Sequence, residues 1–224
     1  LVSEEIATHF LKHLHRRTGL DQVVLGGGFF MNSVYNGKVL DQTPFKQAYI
    51  SYAPSDVGNS IGAALYVAHC IHGVERECSN NVSFIGPKFD HEEIIATLNR
   101  RKIAYRELAN PEKTVAELIA SGDIVAHFYG RMEFGERALG NRSILADPRD
   151  PKIKDRINRM IKYRESYRPF APAVLAEKAH EYFEVKPEYS SRFMENVVPV
   201  KAKHRASLPG ITHVNGSGRL QTVE

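Results

Sequence analysis

Short apolar runs alternate with stretches of helical period from the first residues onward, and that order admits few folds. In EEIATHFLKHLHRR, residues 4–17, the residues Ile6, Phe10, Leu11 and Leu14 share one helical face. Gly19 is placed to stop that helix. DQVVLGGGFFMN then reads as a strand that enters a triple glycine, with a further helix behind it. KQAYISY reads as the next strand, and APSDVGNSIGAALYVAHCIHG as a loop leading into a small-residue helix that ends near Gly73. An order of helix, strand, helix, strand, helix belongs to the α/β class.

Residues 73–88 are polar and contain ECSNN and GP, which reads as a linker. A second α/β unit follows. DHEEIIATLNRR carries Asp90 with Glu93 three residues later, the signature of a capping box. IAYREL alternates like a strand. NPEKTVAELIASG has Asn110 as cap, Pro111 in the first turn and Gly122 as stop. DIVAHFY is a strand. DPKIKDRINRMIK spaces Ile153, Ile157 and Ile161 by four residues, and RPFAPAVL reads as loop, then strand. The expected fold is therefore α/β with mixed sheets. Residues 1–75 and 89–224 form its two units, with 76–88 between them.

Between the two units the charge is uneven. Residues 127–168 hold eight Arg and three Lys against six acids, a net charge of +5, while the whole chain has only +4. The basic character is thus a local feature and not general solubility charge. No run approaches the roughly 18–20 apolar residues of a membrane span. Cys70 and Cys78 lack metal-site spacing and form no disulfide framework, so a reducing, cytoplasmic setting is expected. The chain begins with Leu1, which suggests a piece of a longer protein.

The basic segment centres on GRMEFGERALGNRSILADPRD, residues 130–150. It puts Arg131, Arg137, Arg142 and Arg149 beside three glycines that leave backbone N–H groups bare. Guanidinium forks and open N–H groups suit small dense anions such as phosphates and carboxylates. Asn141 and Ser143 add short hydrogen-bonding groups, and Arg168 in YRPFAP adds a cation on a proline-stiffened segment. Two other readings remain open: a surface loop paired internally through Glu133 and Glu136, and a nucleic-acid groove. Gly26, Gly27 and Gly28 with Asn32 suit either a phosphate turn or a tight strand–helix connection. Asp56 suits a helix cap or a metal ligand. His69 and His72 read as ordinary helix histidines. ITHVNGSGRLQTV repeats the glycine-bracketed pattern with His213, Asn215, Ser217 and Arg219.

Together, HFYGRMEFGERALGNRSILADPRDP, INRMIKYRESYRPFAPAVL and ITHVNGSGRLQTV resemble the second, YrdC-like domain of the O-carbamoyltransferases, a family with nodulation and antibiotic-tailoring members. VVLGGGFFMNSVYNGKV and YAPSDVGNSIGAALY resemble the closing part of that family's first domain, of actin-like ATPase/sugar-kinase fold. The resemblance implies two steps. Carbamoyl phosphate and ATP (with Mg2+) give carbamoyl adenylate, and the carbamoyl group then passes to a hydroxyl of a small acceptor at a site holding a divalent metal, iron (Fe2+) in the characterised type. It implies that Arg131, Arg137, Asn141, Arg142, Ser143, Arg168, His213 and Arg219 line the adenylation site. Gly26, Gly27, Gly28 and Asn32 would touch the adenylate in the transfer site, and Asp56 would bind the metal. Glu136 stands where the family usually has proline, and Asn215 where it has aspartate. The family's paired metal-binding histidines lie in a half-domain that this sequence does not contain. Two alternatives are a threonylcarbamoyl-adenylate synthase-like tRNA-modification enzyme and a non-catalytic anion- or RNA-binding remnant.

Overall fold

In the computed structural model, residues 2–77 and 83–224 are described. Cys78, part of the expected linker, lies outside them. Helix α1 (Val2–Thr18) ends at Gly19, whose φ of 65° lets its N–H reach the His15 carbonyl at 2.8 Å. Strands β1 (Gln22–Leu25) and β2 (Gln47–Ile50) pair in parallel, with Val23 opposite Ala48. Helices α2 (Ser33–Asn36) and α3 (Val39–Gln42) make the crossover. Leu11, Val23, Leu25, Tyr35, Val39, Phe45 and Ile50 form the core of this unit. Of the apolar face expected on α1, only Leu11 is buried; Ile6, Phe10 and Leu14 are exposed.

Helix α4 (Asn59–Tyr66) runs into a π-helical turn, Val67–Ile71, and stops at Gly73 with φ of 64°. Helix α5 (His91–Arg100) has the expected capping box. The Asp90 side chain accepts from the Glu93 N–H at 2.8 Å, and the Glu93 side chain accepts from the Asp90 N–H at 3.0 Å. Helix α6 (Pro111–Ala120) is capped by Asn110, which accepts from the Lys113 N–H at 2.9 Å, and it stops at Gly122. The strand expected at residues 103–108 does not form. Ile103 and Tyr105 are exposed there, and among the described residues no strand edge pairs with them.

Strands β3 (Val125–Phe128) and β4 (Arg142–Leu145) pair antiparallel, so the arginine-rich stretch is the long loop of a hairpin. Helix α7 (Ile153–Ile157) continues as a π-helical turn, Asn158–Lys162. Ile153 and Ile157 are buried while Ile161 is exposed, because the wider turn breaks the four-residue stripe. Strand β5 (Ala173–Leu175) pairs in parallel with β8 (Gln221–Val223), and β6 (Val197–Pro199) antiparallel with β7 (Ser217–Arg219). Helices α8 (Ala179–Tyr182) and α9 (Ala202–Arg205) flank them. Ala179, Phe183, Val198, Val200, Ile211 and Leu220 form the core here.

A third cluster joins the two units. Tyr52 and Ala53 pack with Leu139, Phe134, Phe193 and Met194. Gly135 has φ of 109°, and a Cβ there would come within 2.8 Å of the Tyr52 carbonyl oxygen. A Cβ at Gly37 would run into the Val197 carbonyl oxygen. Both glycines are therefore demanded by close backbone approach across the joint.

Candidate anion-binding site

The loop between β3 and β4 is organised by one buried carboxylate. Glu133 Oε1 accepts from the Leu139 N–H at 2.6 Å and the Asn141 N–H at 2.7 Å. Its Oε2 accepts from Arg142 Nε at 3.2 Å. Arg142 Nη2 also donates to the Gly135 carbonyl at 2.8 Å, so Arg142 faces inward and clasps its own loop. The loop is thus salt-bridged internally in part, as one of the open readings expected. Asn141 Nδ2 donates to the Arg131 carbonyl at 2.7 Å, and Ser143 Oγ accepts from the Gly140 N–H at 3.0 Å. Arg131 is exposed and reaches the Gly86 carbonyl at 3.1 Å. Arg149 pairs with Asp147 at 2.6 Å.

Two neighbours in the middle of the loop reach the first unit. Arg137 Nη2 donates to the Met31 carbonyl at 3.0 Å, just past the triple glycine. The Glu136 carboxylate accepts from the Ser55 hydroxyl, just before Asp56. The loop therefore touches both glycine-containing segments of the first unit. At the triple glycine, φ of Gly27 is 104°, and its N–H goes to the Pro54 carbonyl at 2.6 Å. A Cβ on Gly26, Gly27 or Gly28 would meet nothing within 4 Å, so close protein packing is not what requires three glycines. Asn32 caps α2, its Oδ1 accepting from the Tyr35 N–H at 3.2 Å. The cap reading of Asp56 is corrected: Ser55 is the cap of that short turn, and Asp56 is exposed. His69 Nδ1 lies 2.8 Å from the Val74 carbonyl.

Four cations converge from two other parts of the chain and this loop. Arg219 ends β7, Arg164 and Arg168 follow the π-helical turn, and Arg137 comes from the loop. Arg219 is largely buried, and burial with the adjacent charges of Arg137 and Arg164 pulls its guanidinium down to about 10. Arg164 is held down by burial and by Arg168. Arg137 is held down by burial, which the neighbouring charges of Glu136 and Glu195 oppose. Arg164 has local anchors: its Nε donates to Asn158 Oδ1 at 2.7 Å, and it lies 4.9 Å from the centre of the Phe170 ring. Arg168 pairs with Glu165 at 3.2 Å. Arg219 has neither a hydrogen bond nor an ion pair among the described residues. Beside it, burial and the charges of Arg219 and Lys154 hold His213 below the ordinary imidazole range.

Of the residues singled out from sequence, Arg137, Arg168, His213 and Arg219 thus gather around one cationic centre. Arg131 lies at the loop's outer end, and Asp56 sits beyond the Glu136–Ser55 contact. Sequence reasoning missed Arg164 and Lys154 as members; YRESYRPF displayed the first as a second arginine four residues before Arg168. A cavity of about 540 Å3 lies elsewhere, walled by apolar residues that include Ile144, Ile157, Phe170 and Val174, and it contains none of these arginines.

Two family models match this chain. The one described as carbamoyltransferase N-terminus matches residues 1–65, and the one described as carbamoyltransferase C-terminus matches residues 116–224. The nodulation protein NolNO of Sinorhizobium fredii is 41% identical over 227 residues, 98% of this chain and 33% of that protein. The nodulation protein NolO of Bradyrhizobium diazoefficiens is 39% identical over 226 residues, 98% of this chain and 41% of that protein. An uncharacterised protein of Synechocystis sp. is 38% identical over 251 residues, 100% of this chain and 40% of that protein. The chain thus spans 33–41% of the length of these curated relatives. With both family models matched in order along most of its length, the chain belongs to the carbamoyltransferase family.

Proposed function

We propose that this chain is part of an ATP-dependent O-carbamoyltransferase and that its cationic centre activates the carbamoyl group. On this reading residues 89–224 are the YrdC-like adenylation domain, residues 76–88 a linker, and residues 1–75 the end of an actin-like transfer domain. Water cleaves carbamoyl phosphate to carbamate and phosphate. A carbamate oxygen attacks the α-phosphorus of ATP, and pyrophosphate leaves. The product, carbamoyl adenylate, then gives its carbamoyl group to a small hydroxyl-bearing acceptor, whose proton is lost as AMP departs.

The observation that carries this reading is Arg219. A largely buried guanidinium with no ion pair among the described residues, pressed by Arg137 and Arg164, is costly unless an anion completes it. Phosphate and carbamate oxygens are such anions, and preorganised cations stabilise the charge that builds on them during transfer. Arg137, Arg164, Arg168 and Arg219 hold the phosphates. The Glu133–Arg142 clasp, with Asn141 and Ser143, keeps the loop in shape. Gly26, Gly27, Gly28 and Asn32 offer open backbone and a side-chain amide to the adenylate after it moves. For the divalent metal, the fit is poor: among the described residues no three His, Cys, Asp or Glu side chains converge, and exposed Asp56 alone does not make a site. No step here runs through a metal of this chain.

Phosphorus NMR of the chain with ATP, magnesium and carbamoyl phosphate tests the reading. Pyrophosphate is expected to appear only when carbamoyl phosphate is present. Arg219→Met is expected to abolish it while leaving the melting temperature equal or higher, since the variant removes an unpaired buried charge. A variant that unfolds, or one that keeps making pyrophosphate, would remove Arg219 from the site.

A further inference from the structure

The turn from His213 to Ser217 fixes where its protons are. Its backbone is closed by the His213 N–H to the Ser217 carbonyl at 2.8 Å and the Gly216 N–H to the His213 carbonyl at 2.9 Å. The Ser217 N–H donates to the Asn215 side chain at 3.2 Å. An N–H can only donate, so the amide atom facing it is the oxygen, Oδ1. Ser217 Oγ lies 2.7 Å from that same oxygen, which has no proton to offer, so the hydroxyl hydrogen points there. A hydroxyl has one hydrogen. Toward His213 Nδ1, at 3.1 Å, Ser217 Oγ is therefore the acceptor, and Nδ1 bears the proton. In the neutral ring Nε2 is then a bare acceptor.

His213 Nε2 is buried and has no hydrogen-bond partner among the described residues. Its charged neighbours are Arg219 and Lys154, and neither side chain forms a hydrogen bond among the described residues. A buried acceptor lacking a donor is costly, and that cost is relieved by a ligand that brings one.

We propose that His213 Nε2 selects ligands carrying an N–H or O–H donor beside their charged oxygens, so the site prefers carbamoyl phosphate to an acyl phosphate ending in a methyl group. This deepens the anion-site reading above and rests on it. The carbamoyl NH2 can donate to Nε2 while the phosphate oxygens meet the arginines. A methyl group in its place leaves the acceptor unpaired, and sites built on such a hydrogen bond discriminate strongly against ligands that lack the donor.

Titration calorimetry of the chain with carbamoyl phosphate and with acetyl phosphate tests it, in the wild type and in His213→Phe. The wild type is expected to bind carbamoyl phosphate at least about tenfold more tightly. His213→Phe keeps a ring but no acceptor, and is expected to bring the two affinities within about twofold of each other. Nitrogen NMR of the free wild-type protein gives a readout that does not depend on the variant folding: Nδ1 should be protonated and Nε2 not. Equal affinities in the wild type, a preference retained by His213→Phe, or a proton on Nε2 would each overturn the inference and leave the anion site standing. Failure of both acyl phosphates to bind would overturn the anion-site reading and this inference with it.

Discussion

At the scale of single residues, Glu133 does most to shape the site without being part of the cationic centre. Its side chain is fully buried, and it satisfies two backbone N–H groups and one guanidinium. Glu133→Ala leaves the Leu139 and Asn141 N–H groups without their acceptor and strips Arg142 of its counter-charge, leaving it only its loop carbonyls. The cost is expected to be about 3–5 kcal/mol, in the range for one-sided loss of a buried pair. Glu133→Gln keeps an acceptor oxygen and should lose about 1–3 kcal/mol. Chemical denaturation of the two variants checks the order; equal and small losses would show that the loop is held by something else. Sequence alone displayed Glu133 only as a possible counter-charge, because a sequence gives the sign of a residue and not its depth. The same limit hid Arg142. Its guanidinium looked free beside bare backbone, and in the fold Nε and Nη2 are taken up within the loop. Arg219 was legible as a cation among glycines. That its guanidinium has no partner among the described residues depends on three segments far apart in the chain.

At the scale of elements, what is local was readable and what is relational was not. The Asn110 cap, Pro111 and Gly122 bound α6 as its sequence requires, since cap, first turn and stop each act within four residues. Asn110→Ala should cost about 1 kcal/mol, which for a chain of this size lowers the melting temperature by about 2–4 °C. Calorimetric scanning can detect that drop, and no change would mean that the first turn is held by contacts other than the cap. Residues 103–108 show the opposite case. Their alternation fits a strand, but a strand needs a neighbour's edge, and β3 pairs with β4 instead. Helix α7 lies between the two: Ile153 and Ile157 obey the apolar spacing, and the π-helical turn behind them carries Ile161 away from the core. That turn also directs the chain toward Arg164, so the departure from regular period sits where the site needs it.

At the scale of the whole molecule, the surface is larger than a chain of this mass should have. The accessible area is 14969 Å2, whereas a folded monomer of 25.2 kDa scales to about 10,300 Å2. Much of the excess is apolar: Ile6, Phe10 and Leu14 on α1, Leu65 and Tyr66 on α4, Ile71 beyond it, and Val24 with Tyr49 on the β1–β2 sheet. Parallel strands are usually covered on both faces, and here one face carries exposed Val24 and Tyr49. Patches of this kind drive association. Sedimentation of the isolated chain is therefore expected to show an average mass that rises with concentration. Two causes of such a rise can be told apart by salt. Association through the basic segment and the acidic residues of a second copy would weaken as salt screens the charges. Association through the apolar faces should persist, and strengthen in sulfate, which favours burial of apolar surface. A single species of 25.2 kDa at every concentration and in sulfate would show that the exposed faces do not drive contact between copies.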